Sequence, residues 1–70
     1  MKADKYPIKD EWTDYYKYLE RLRKSGVTNM FCAAPWLESR FSIEKNLAYE
    51  ILANWIHNYD QLSEIYKWRI

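Results

Sequence analysis

The stretch LAYEILANWIHNYDQL, residues 47–62, decides the fold. Leu47, Ala48, Ile51, Leu52, Trp55, Ile56, Tyr59 and Leu62 recur in i, i+4 pairs, the rhythm of a helix buried along a wide stripe. Ala48, Trp55 and Leu62 form one row at heptad spacing, and Leu52, Tyr59 and Tyr66 form a second, so the phase survives the polar tract His57-Asn58-Tyr59-Asp60. One long helix is open, and so is a separate carboxy-terminal helix capped by Asn58 or Asp60.

A helix with that much apolar surface needs partners, and the amino-terminal half supplies them. Asp10 is a suitable N-cap, and Trp12, Tyr15, Tyr16, Tyr18, Leu19 and Leu22 fall within an arc of roughly 160° at about 100° per residue. This helix is expected to stop near Ser25. Gly26, the chain's one glycine, can take a left-handed conformation there, with Arg23 and Lys24 facing the negative end of the helix dipole. Between Val27 and Phe41 the pattern is irregular. Thr28 can cap a second helix, but Pro35 removes a backbone donor and forces a kink or a restart. Met30, Phe31, Ala33 and Ala34 read as packing residues either way.

With no strand alternation, repeat or linker, the expectation is a single all-α domain over residues 1–70, a small three-helix bundle or one of four helices. Its helices are placed at about 11–25, 29–41 and 44–58, the last continuing or restarting to 67. The second and third helices fit a helix-turn-helix-like arrangement, with Ser42-Ile43 in the turn and Leu37, Phe41, Ile43, Ala48, Ile51 and Leu52 as its apolar contacts.

Composition narrows the function. Eleven basic residues against ten acidic ones leave a net charge of +1, interleaved along the chain, which argues against strong general attraction to nucleic acid or anionic lipid. No run of about eighteen apolar residues is present, and no apolar tract follows the first lysines. The expectation is a cytoplasmic protein with no membrane contact. Cys32 alone cannot form an internal disulfide, and with the single His57 it falls short of a zinc set, so no cofactor or metal is expected. His57 and Asp60 at i, i+3 can orient one another as in a general base, but no nucleophile is fixed beside them by sequence. Catalysis is not expected.

The aromatic content points elsewhere. Four Trp, seven Tyr and two Phe occur in seventy residues, and a chain this short buries only roughly 60% of its unfolded surface. Trp12, Tyr16, Phe41 and Trp55 are expected in the core, with Tyr15, Phe31 and Tyr59 sharing it. Tyr6, Tyr18, Trp36, Tyr49, Tyr66 and Trp68 lie at face edges, in the irregular segment or near the carboxy terminus, and form the candidate partner-binding set. A homodimer or a contact with another protein is the leading expectation. The alternative is a small helix-turn-helix regulator that reads DNA with Lys45, Asn46, Tyr49 and Asn54, against the repulsion of Glu44 and Glu50.

Ser25-Gly26-Val27-Thr28-Asn29-Met30-Phe31, Ala33-Ala34-Pro35-Trp36-Leu37, Phe41-Ser42-Ile43, Ala48, Ile51-Leu52 and Trp55 together resemble short helical accessory proteins encoded by bacteriophages and prophages. The resemblance covers roughly residues 12–59. Glycine is commoner in that group where this chain has Cys32, so no role is assigned to the thiol. The resemblance implies a small protein in the host bacterial cytoplasm that binds and blocks or modulates a host defence or regulatory protein stoichiometrically. It implies no site residue.

Overall fold

The computed structural model describes residues 6–68. Residues 1–5, on which the expectation of no leader segment rests, lie outside the described residues, as do Arg69 and Ile70. Four α-helices follow in order, α1 (Thr13–Ser25), α2 (Ala34–Phe41), α3 (Lys45–His57) and α4 (Tyr59–Tyr66), with single 3₁₀ turns at Asp10–Trp12 and Met30–Cys32. The described residues contain no strand, and the molecule is a small all-α bundle in which α2, a three-residue turn and α3 pack as a helix-turn-helix-like pair.

The start of α1 differs from the expectation that Asp10 would cap it. The Trp12 amide instead bonds to Lys9 O at 3.0 Å in a 3₁₀ turn, and the Thr13 hydroxyl donates to Asp10 O at 2.7 Å. Tightening the entry in this way drops Trp12 into the core, where it is 7% exposed. At the other end Gly26 adopts φ 70°, and its amide donates to Leu22 O. Apart from its chain neighbours, no heavy atom of the described residues stands within 4 Å of where a Cβ would lie at Gly26, so its requirement is one of backbone conformation. The chain has no second glycine, and the left-handed ends of α2 and α4 therefore fall on Ser42 (φ 55°) and Lys67 (φ 60°), at a cost of about 1 kcal/mol each.

Asn29, rather than Thr28, caps the connection between α1 and α2. Its Oδ1 accepts the Phe31 amide at 2.9 Å, because asparagine reaches an amide two residues on more readily than it fits a helix interior. The chain restarts at Ala34 with Pro35 in the first turn, where a missing N–H is harmless. α3 likewise stops at His57, and Asn58 sits outside helical geometry (φ −108°, ψ 12°). The backbone bonds from Asn58 N to Asn54 O and from Leu62 N to Asn58 O bridge this break. That continuity keeps the heptad rows in phase, so Ala48, Trp55 and Leu62 are all buried.

The core gathers Trp12, Tyr16, Leu19 and Leu22 from the first helical segment, Ala33, Ala34 and Leu37 around α2, Ile51, Leu52 and Trp55 from α3 and Leu62 from α4. A polar node is set inside it. The Tyr16 hydroxyl donates to Asn54 Oδ1 at 2.8 Å and accepts the Lys9 amide at 3.1 Å, while Asn54 Nδ2 donates to Pro7 O at 2.6 Å. Asn58 Nδ2 donates to Tyr6 O and to Asn54 Oδ1. Burial pushes the Tyr16 pKa above its ordinary value of 10.0, outweighing the opposite effect of the Lys9 amide, so the phenol remains a donor. The node fastens residues 6–9 across α1 and α3 and leaves Asn54 only 3% exposed. Replacing Asn54 with Ala strands the Pro7 carbonyl and the Tyr16 hydroxyl. Urea denaturation is expected to show a loss of about 2 kcal/mol, whereas Asn46→Ala, on the exposed side of the same helix, should change stability by less than about 0.5 kcal/mol.

Candidate protein-interaction surface

The six aromatics singled out from sequence differ in how far packing engages them. Tyr6 stacks on His57 with ring centroids 4.1 Å apart and planes within 9°. Tyr18 is half-buried, edge-on to Phe41 at 5.5 Å, with the Arg40 guanidinium 6.0 Å from its centroid. Tyr66 and Trp68 stack on each other at 5.3 Å, Trp68 also meets Tyr59, and the Tyr66 hydroxyl pairs with Thr13 Oγ1 at 3.0 Å. Packing therefore accounts for much of the area of these four. Trp36 and Tyr49 remain open, at 41% and 49% exposure.

Phe31 departs from its expected place in the core and is the most exposed large apolar side chain among the described residues, at 74%. The Asn29 cap explains this. It sets the phase of the 3₁₀ turn so that Met30 and Ala33 point inward, which turns Phe31 and Cys32 to solvent. Val27, at 55% exposure, Phe31, Pro35 and Trp36 consequently follow one another as exposed apolar groups around the α1–α2 connection. Pro35, Trp36 and Ser39 line a shallow notch of about 240 Å³ there. No periodicity argument could have found Phe31, because a single 3₁₀ turn is too short to show a face.

The residues assigned to DNA in the alternative reading divide in the same way. Lys45, Asn46 and Tyr49 are exposed on the first turns of α3, next to Glu44 and Glu50. Asn54 is withdrawn from that set as a correction: it is buried, and both ends of its amide are engaged by the polar node, so it cannot reach a base.

A second buried polar group ties α1 to the base of α4. Glu20 is 4% exposed, takes two hydrogen bonds from Arg23 (Nε to Oε1 at 3.0 Å, Nη2 to Oε2 at 2.8 Å) and a third from the Tyr59 hydroxyl at 3.0 Å. Arg23 also lies over the Tyr59 ring, 5.4 Å from its centroid. Burial raises the Glu20 pKa, but the hydrogen bonds from Arg23 and Tyr59 and the nearby charges of Arg23 and Lys24 outweigh it and hold the carboxyl below its ordinary 4.5. Bonding to Glu20 raises the Arg23 pKa in turn, against the smaller effect of its own desolvation. Among the described residues no group of three His, Cys, Asp or Glu side chains could hold a metal, and no helix is long and apolar enough to cross a membrane.

Comparison of the chain with protein-family models, with curated proteins and with solved structures finds no match in any of the three.

The Glu20 geometry fixes a direction with pH. A carboxyl whose folded pKa lies below its unfolded one contributes its full stability above about pH 4.5 and loses it as the pH falls through the lower folded value. Glu20→Gln is expected to be less stable than the parent protein by about 2 kcal/mol at pH 7, a gap that closes as both proteins are denatured at successively lower pH below 4.5. A gap that stays constant down to pH 3 would contradict this account.

Proposed function

We propose that this chain is a non-catalytic accessory protein of the bacteriophage type that acts by protein–protein contact. Its reading is that of a stoichiometric inhibitor or modulator of a host defence or regulatory protein, or of a protein that first pairs with itself. The observation that carries the proposal is the exposure of Phe31 and Trp36, with Val27 and Pro35 also exposed, on the single connection that joins α1 to α2 and the first turn of α2. Large apolar rings are costly to hold in water, and on soluble proteins contiguous patches of them mark surfaces that meet a partner. Tryptophan and tyrosine also carry a disproportionate share of interface energy, which adds Trp36 and the exposed Tyr49 as anchors. Tyr6, Tyr18, Tyr66 and Trp68 serve at most as rim contacts, since intramolecular stacking already engages them. Binding of duplex DNA by α3 ranks behind this reading, because Lys45 and Asn46 stand between Glu44 and Glu50, which repel phosphates.

Light scattering at micromolar concentration and affinity capture from a bacterial lysate, run on the parent protein and on the double variant Phe31→Ser/Trp36→Ser, test the proposal. The parent is expected to self-associate or to retain a bacterial protein, and the double variant to weaken that association by at least about tenfold while its stability stays within about 1 kcal/mol. A parent that stays monomeric and retains nothing, or a contact indifferent to the double variant, would overturn it.

A further inference from the structure

α1 and the last turn of α2 line an open surface cleft of about 310 Å³ on residues separate from Phe31 and Trp36. Asp14, Lys17, Tyr18 and Arg21 recur three and four positions apart and so share one face of α1, and α2 contributes Arg40 and Phe41. Three cations and one carboxylate therefore line a single cleft on a chain whose overall charge is only +1. None of Lys17, Arg21 and Arg40 makes an ion pair with a described residue, in contrast to Arg23, which Glu20 holds at 2.8 Å. Arg40 is oriented without a carboxylate. Its guanidinium carbon lies 5.1 Å from the Phe41 centroid and 6.0 Å from that of Tyr18, and Tyr15 meets Phe41 edge-on at 4.7 Å. The planar fork is thus placed on a packed aromatic corner with its donors free, the arrangement that matches oxygens of a phosphate.

The size and walls of the cleft specify more than a bare anion. Its volume equals that of about ten water molecules in the liquid and reaches the lower end of ligand-sized clefts. Three cations lining one cleft suit a doubly charged phosphate ester better than a single carboxylate, and Tyr18 and Phe41, which also line it, add a small apolar wall beside the Arg40 guanidinium against which a flat group can rest. We propose that this cleft binds a small phosphate ester bearing a planar ring, of the size and charge of a nucleoside monophosphate. Lys17, Arg21 and Arg40 hold the phosphate, Tyr18 and Phe41 meet the ring, and Asp14 accepts a hydrogen bond from a ligand hydroxyl or amine.

Titration of the full chain at low salt with each of the four ribonucleoside monophosphates, with ribose 5-phosphate and with adenosine tests the proposal, by calorimetry and by backbone amide shifts. At least one monophosphate is expected to bind with 1:1 stoichiometry and to shift amides within residues 14–21 and 40–41. Ribose 5-phosphate and adenosine should each bind more weakly by about tenfold. Arg21→Gln and Arg40→Lys, the second of which keeps the charge and removes the fork, are each expected to weaken binding by about tenfold. Lys24→Gln and Lys45→Gln remove one charge outside the cleft and should leave it unchanged. The absence of saturable binding by any monophosphate, shifts confined to other elements, equal binding of ribose 5-phosphate, or equal losses in the Lys24 and Lys45 variants would each overturn the proposal. These results are independent of the association measured through Phe31 and Trp36.

Discussion

The buried amide of Asn54 is the constraint on which the arrangement of this protein depends. A side-chain amide with an acceptor and a donor cannot be placed in an apolar core unless both are used, and here Tyr16 and Asn58 supply the acceptor's partners and the Pro7 carbonyl takes the donor. Three separate parts of the chain must therefore meet at one point with hydrogen-bond accuracy. Apolar contacts among Leu19, Leu37, Ile51 and Leu62 drive collapse but tolerate sliding; the Asn54 node permits one alignment of α1, α3 and the segment before α1.

The aromatic residues take different roles around that node. Trp12, Tyr16 and Trp55 fill the core, as helical spacing leads one to expect. Tyr15, Tyr18, Phe41, Tyr59, Tyr66 and Trp68 form edge-on and stacked pairs that close the flanks, a way of covering a small core with few residues. Glu20 and Arg23 belong to the same flank, where the Tyr59 hydroxyl satisfies a buried carboxylate and its ring supports the guanidinium. Only after these needs are met do Phe31, Trp36 and Tyr49 remain as exposed rings.

The fold was legible wherever a periodic pattern ran for three turns or more. α1, α3 and the inward rows of α4 followed from spacing, and the end of α1 followed from Gly26. The caps were less legible, because Asp10 and Thr28 are suitable cap residues by type, yet a 3₁₀ turn and Asn29 took those tasks once Trp12 and Ala33 had to be buried. The candidate surface was only partly legible. Trp36 and Tyr49 are exposed, as their positions in the irregular segment and at a face edge led one to expect, whereas Phe31 was hidden by the shortness of its turn and Asn54 by its place on a helix whose polar residues mostly face water.

By itself, the sequence determined that this chain is all-α and which residues make most of the core, because helical periodicity and backbone preferences are local and survive in one dimension, while the start of α2 and the break between α3 and α4 were left to the assembled structure. Tertiary structure alone decided that Asn54 faces inward, that Tyr66 reaches back to Thr13 at the start of α1, and that Lys17, Arg21 and Arg40 line one cleft. Those outcomes depend on contacts between residues far apart in the chain. Satisfying buried polar groups and pairing aromatic faces are properties of the assembled molecule, and no local pattern encodes them.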